Sequence, residues 1–286
     1  MRNFSRFVLM FLLAFVASGC RRTTLPPTNE VVAVRGPSVP SQPGDPAWEA
    51  APEHVAKLFL QDLVDPRLMA PSTPEVRVRA LTNGEEIAFR LQWPDPEPND
   101  TPGPSLSVDA CAVQLPRMIS SEPPAPQMGE AGRPVEITFW RSDWQASVNG
   151  RGDEIQDLYP NATVDHYPFA APSLEKGSEA QKEMTTLYSP AEGAGNRRAG
   201  PRETPVEDLV AEGPGTLSPA ASQSSKGHGA RTKDGWAVVI RRNLPEGLVP
   251  DVRTQVAFAI WEGSAHEAGA RKMRTGWIPL LVRGAK

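Results

Sequence analysis

Histidines and cysteines are the side chains with which a chain most often builds metal and redox chemistry. His54, His166, His228 and His266 are scattered here, without the short spacing of a zinc site. No Cys-x-x-Cys-His is present to hold a haem covalently. A Gly-x-Ser-x-Gly elbow, a phosphate loop, a His-Glu-x-x-His helix and a dinucleotide fingerprint are all missing too. The two cysteines, Cys20 and Cys111, read most simply as the disulfide of an exported chain, but the setting of Cys20 argues otherwise.

Residues 1–19 combine a basic start (Arg2, Arg6), an apolar run from Phe7 to Ala17 and small residues before Cys20. The run falls well short of the roughly 20 residues of a membrane-spanning helix, so it reads as a signal peptide. Ala17-Ser-Gly-Cys20 resembles a bacterial lipobox, which makes Cys20 the acylated first residue of the mature chain. Acylated, Cys20 cannot form a disulfide. Cys111, in the apolar stretch Val108 to Val113, is then a buried inert thiol. Several acyl chains anchor firmly, and Arg21, rather than Asp, after the cysteine favours the outer membrane. The expected location is thus the periplasm-facing cell envelope. Residues 20–44, rich in Pro, Thr, Ser and Val, read as a flexible tether.

The elements that must position any site are strands. Thirty-one prolines and 23 glycines argue against long helices, and 39% hydrophobic residues suffice for a core. Glu75 to Leu81 and Ile87 to Trp93 alternate around an Asn83-Gly84 turn, which predicts a hairpin. Further strands are predicted over 108–115, 134–140, 236–242, 255–261 and 277–282. The fold expected is all-β, an immunoglobulin-like two-sheet antiparallel β-sandwich spanning 45–286. Residues 142–222 form a long polar insertion, irregular apart from short helices over 174–187 and 205–211. The net charge of −4 becomes −6 once Arg2 and Arg6 leave with the signal peptide. That mild acidity, without a basic block, excludes nucleic acid as a partner.

Several blocks, in order, resemble the haem-binding γ subunits of ethylbenzene dehydrogenase and its relatives among the respiratory molybdenum enzymes of the dimethyl sulfoxide reductase family. They begin at Asp45-Pro-Ala-Trp48 and run through Phe89-Arg-Leu-Gln-Trp93 with Asp95, and Asp109-Ala-Cys-Ala-Val-Gln-Leu-Pro116. Pro126-Gln-Met-Gly129, Pro205-Val-Glu-Asp-Leu209 and Gly213-Pro-Gly-Thr-Leu217 follow. Lys226-Gly-His-Gly229, Asp234-Gly-Trp-Ala-Val-Val239, Val256 to Gly263 and Trp277 complete the set, which covers nearly all of 45–280.

The resemblance implies one non-covalent haem b held between a methionine thioether and a lysine amine. By motif these fall on Met128 and Lys226, with Met118 and Lys233 as rivals and His228 as a possible substitute. A thioether suits Fe(II), and a lysine ligates only as the neutral amine. Gly129, Gly227 and Gly229 would let backbone approach a macrocycle, and Arg241 or Arg242 would pair with propionates. The implied role is electron transfer between the iron–sulfur subunit of a molybdopterin enzyme and a periplasmic cytochrome c, without catalysis by this chain. The long 142–194 segment and the lipobox depart from the family. They point to a membrane-attached relative serving a different complex, such as a nitrite- or nitrate-converting enzyme. The alternative is a carbohydrate-binding envelope lipoprotein without haem, because some carbohydrate-binding modules share the Asp-Pro-x-Trp opening.

Overall fold

The computed structural model describes residues 28–152, 155–163, 178–180, 196, 198 and 202–284. Its elements are strands β1 (Val31–Arg35), β2 (His54–Lys57), β3 (Phe59–Leu60), β4 (Glu75–Thr82), β5 (Glu86–Pro94), β6 (Ala110–Pro116) and β7 (Val135–Arg141), then helices α1 (Ser142–Val148) and α2 (Ile155–Leu158). Strands β8 (Val206–Ala211), β9 (Ser218–Pro219), β10 (Lys226–Arg231), β11 (Gly235–Asn243), β12 (Arg253–Trp261), β13 (Met273–Arg274) and β14 (Ile278–Val282) complete them.

The result is an all-β sandwich, as the strand pattern predicts. One layer runs β10-β11-β5-β4-β1-β14 and the other β12-β6-β7-β8-β9. β12 serves both, pairing with β14 through Arg253–Val256 and with β6 through Ala257–Trp261. Alternation sorts the side chains. Val76, Val78 and Ala80 of β4 and Ile87, Phe89, Leu91 and Trp93 of β5 share one core with Cys111, Val113 and Leu115 of β6 and Phe258 and Ile260 of β12. Phe89 and Phe258 meet edge to face at 6.1 Å, each fully or almost fully buried, and burial of each stabilises the fold by about 1.5–3 kcal/mol. At the β4–β5 turn, Asn83 Oδ1 accepts from the N–H groups of Glu85 and Glu86, and Gly84 takes the left-handed φ of 102° that the turn requires.

Three expectations change. The sandwich is not purely antiparallel: β1 lies parallel to both β4 and β14, inside the stretch expected as a tether. Val31, Val32 and Ala33 are almost wholly buried there, because a strand flanked on both edges buries an unbroken apolar run. Residues 205–211, expected as a helix, form β8 on the edge of β7 in the register Val135↔Ala211. An open β7 edge rewards pairing more than local pattern rewards a helix, and Thr138 Oγ1 ties across to Asp208 Oδ1 at 2.8 Å. The insertion 142–222 is therefore structured at both ends, by α1 and by β8 with β9. The expected helix over 174–187 lies largely outside the described residues, as do the signal peptide and Cys20. Among the described residues no helix is long and apolar enough to cross a membrane.

Candidate cofactor site

The second layer has two faces. One joins the core just described; the other is the floor of a cavity of about 580 Å³, within the ~300–1,000 Å³ range of cofactor sites. Strand period and register build this floor. Ala257 and Ala259 of β12 lie beside Gln114 and Ala112 of β6, and Trp261 beside Ala110. Across β6, Ala110, Ala112 and Gln114 lie beside Arg141, Phe139 and Ile137 of β7, and Ile137 beside Leu209 of β8. Four alanines thus form a flat apolar platform with Phe139 and Trp261 packed edge to face at 5.1 Å along its side. Such a floor suits a planar ligand.

Loops form the walls. The Pro124–Arg133 loop brings in Met128, half-buried against the floor cluster. Met128 holds φ 67° and Gly129 φ 80°, two consecutive left-handed residues. A non-glycine residue keeps this conformation only where its surroundings impose it. The clamps are Gly129 N–H to Ala125 O at 2.9 Å, Gly213 N–H to Met128 O at 2.8 Å and Trp277 Nε1 to Pro124 O at 2.6 Å.

A second wall is the turn between β12 and β13, where Glu267, Gly269, Ala270 and Lys272 line the cavity. Lys272 Nζ sits 5.0 Å from the Trp261 ring centroid, and among the described residues no carboxylate pairs with it. Burial, aided by Arg274, lowers its pKa from 10.5 to about 8. This lysine is therefore partly neutral near physiological pH. Arg274 also lines the cavity, with a buried Nε lacking a hydrogen-bond partner. The other basic residues there, Arg141 and Arg198, are engaged by Asp143 and Glu207.

The ethylbenzene dehydrogenase family model matches residues 45–273, most of the chain, including the floor strands β6, β7, β8 and β12. This chain belongs to the ethylbenzene dehydrogenase family. It is 23% identical over 279 residues to a putative respiratory nitrate reductase heme subunit of Haloferax mediterranei, a match spanning 94% of this chain and 79% of the relative. Among solved structures it resembles family 9 carbohydrate binding modules of Caldicellulosiruptor kristjanssonii, in complex with cellotriose and with glucose. Both align with a TM-score of 0.38 and 8% identity, over 90% of this chain and 94% and 96% of theirs. That likeness is too loose to bear on function.

The blocks that carry the family resemblance divide into two sets. Met128, Gln114, Leu209, Gly215 and Trp261 line the cavity. Lys226 does not. It is exposed on the edge strand β10 of the other layer, opposite Arg241, so the structure does not bring it to Met128. Lys233 is exposed in the β10–β11 turn and Met118 is 71% exposed; neither lines the cavity. His228 points from β10 into a half-buried site where burial lowers its pKa, again outside the cavity. Gly227 and Gly229 make room for the sandwich rather than for a ligand: added Cβ atoms would lie 2.5 Å from Val206 Cγ1 and 2.2 Å from Trp140 Cζ2. Arg241 pairs with Glu86, and Arg242 with Glu136.

A second group of family blocks is also architectural. Asp95, Asp109 and Glu262 converge where β5, β6 and β12 end, their oxygens within 4.8 Å of one another. Asp109 accepts from the N–H groups of Asn99 and Gly263 and from Trp236 Nε1, at 2.8–2.9 Å. Asp95, buried beside it, has its pKa raised to about 7 by burial and then by the Asp109 charge. Trp48 of the opening block is completely buried and donates to Gln42 O at 3.0 Å, so it offers no stacking surface to a sugar. Sequence reasoning missed Lys272. Its context, Arg271-Lys-Met-Arg274, reads as a solvated basic turn, and the one local signal is the wholly buried Met273 beside it.

Proposed function

We propose that this chain binds one haem b, non-covalently, over the alanine platform, with Met128 and Lys272 as the axial ligands. The observation that carries this reading is a thioether and a partly neutral amine facing one flat apolar cavity. Bound there, haem would supply a one-electron iron couple that Met128 and Lys272 would hold, and an iron with two protein ligands favours outer-sphere transfer. The protein's own residues do the rest. Met128 offers a soft sulfur. Lys272 offers an amine whose proton burial has already weakened. Ala110, Ala112, Ala257 and Ala259 exclude water from the floor. Arg274, with its unpartnered Nε, is free to take a propionate carboxylate.

The family membership and the heme-subunit relative support the role of a haem electron-transfer subunit of a molybdenum oxidoreductase complex. In that role the chain passes electrons between the complex's iron–sulfur subunit and a periplasmic cytochrome c and catalyses no substrate reaction itself. The molybdopterin subunit completes the complex. Acylation at Cys20 and a periplasm-facing position in the cell envelope belong to the same proposal.

The full chain, solubilised in detergent, tests the central claim. Absorption spectra of the oxidised and dithionite-reduced protein should show a low-spin, six-coordinate haem extractable by acid acetone. Lys272→Ala and Met128→Ala should each abolish the low-spin signature, while Lys226→Ala retains it. A chain that stays colourless when hemin is added overturns the reading. Fatty-acid labelling lost in Cys20→Ala checks the anchor.

A further inference from the structure

Two buried glutamines stand in the cavity wall, Gln61 at 5% and Gln114 at 8% exposure. Gln61 lies just after β3; Gln114 lies within β6. Gln114 Nε2 donates to Pro126 O at 3.0 Å, two residues before Met128. Gln61 Nε2 donates to Ala270 O at 3.2 Å, two residues before Lys272. The backbone N–H of Gln61 adds a bond to Lys272 O at 3.0 Å. The two side chains thus perform one task on the two loops that carry Met128 and Lys272.

We propose that Gln61 and Gln114 are a matched pair of positioning residues, each holding the loop that carries one axial ligand at a set distance from the other. The proposal rests on the haem reading above. Packing alone does not call for the Gln114 amide. On the floor, Gln114 sits among Ala110, Ala112, Ala257 and Ala259, where an apolar side chain fills space without the cost of burying an amide. Its amide N–H reaches a loop instead. Gln61 is more heavily used: Oε1 accepts from the N–H groups of Leu63 and Val64 at 2.8 Å, and Nε2 also donates to Val64 O at 2.7 Å. It folds its own turn and fastens that turn to the Lys272 loop.

Preorganisation explains the arrangement. Met128 is held in a left-handed conformation that a free loop abandons. Among the described residues no charge pairs with Lys272 to fix it. Ligands that must find their geometry after a cofactor arrives lose affinity to ordering; ligands fixed beforehand do not.

The test uses the full chain in detergent with Gln114→Met and Gln61→Met, which keep side-chain length and remove the amide. Gln114→Met should keep bound haem but lose the thioether-to-iron charge-transfer absorption of the ferric form. Gln61→Met should give a mixed high-spin spectrum from loss of the amine. Both should release haem to an excess of an apo-haem acceptor at least tenfold faster than wild type, and Gln114→Met should do so with the melting temperature of the haem-free form nearly unchanged. Gln114→Glu and Gln61→Glu, which replace the donor with an acceptor and add a charge, should repeat each effect. Wild-type spectra and release rates in the variants overturn the proposal. So does failure of all four variants to fold, because the amides would then belong to the scaffold. A wild-type chain that takes up no haem defeats the haem reading itself, a separate outcome.

Discussion

Haem affinity should rise with pH along a slope that Lys272 alone sets. Only the neutral amine ligates, so each binding event below the lysine's pKa releases one proton. Burial lowers that pKa from 10.5 to about 8. Deprotonation therefore costs roughly 1 kcal/mol at pH 7 and roughly 3 kcal/mol at pH 6. An unperturbed lysine would cost roughly 5 kcal/mol at pH 7, so the cavity makes ligation easier by roughly 3 kcal/mol, on the order of a hundredfold in affinity. The sign follows from the proton. The free form carries it and the bound form does not, so affinity climbs tenfold per unit up to pH about 8 and then levels. Competition for haem against an acceptor calibrated at pH 6, 7, 8 and 9, read at the Soret band, measures the slope. Lys272→Met should flatten it and Lys226→Met should leave it intact. A wild-type affinity that does not change between pH 6 and 8, or a slope that survives in Lys272→Met, refutes the reasoning.

Three other predictions follow from the same geometry. Asp95 has a folded pKa of about 7, above its unfolded value near 3.8, so the folded state holds its proton more tightly. The contribution of Asp95 to stability should be greatest below about pH 4, fall as pH rises to 7 and then stay level; Asp95→Asn should remove that fall and raise the melting temperature at pH 8 by a few degrees. Gly129→Ala places a Cβ 2.9 Å from Ala211 O at φ 80°, so denaturant unfolding should show a loss of about 1–3 kcal/mol, with weaker haem binding. Ala112→Trp fills the platform with an indole; it should abolish the Soret band while the chain melts at or above the wild-type temperature, and a haem-replete Ala112→Trp protein would place the cofactor elsewhere.

The strands were legible wherever side chains alternate between unlike environments. Glu75–Thr82 and Glu86–Pro94 declare themselves this way, and the Asn83-Gly84 turn fixes their register. The platform was not legible, because β6 and β12 alternate between two apolar faces. Ala110, Ala112, Ala257 and Ala259 look like ordinary core until the register shows them side by side on the face away from Cys111 and Phe258. Met128 was reachable through its Gln-Met-Gly setting and lies in the cavity. Lys226 drew attention through its glycines, whose purpose is to clear Val206 and Trp140. Lys272 owes its burial to the cavity and its backbone anchorage to Gln61, more than two hundred residues earlier, and no local pattern records such a partner.

The parallel strand β1 has a consequence for assembly. In the strand order it alone joins β4 to β14, pairing Val31 with Leu280 across about 250 residues of chain. During synthesis β1 emerges before β14 and must stay unpaired on that edge until β14 has been made. Closure of the large layer is thus a late event that no earlier fragment can rehearse. A polypeptide clipped at either end would carry a complete platform beneath a sheet that has come unzipped.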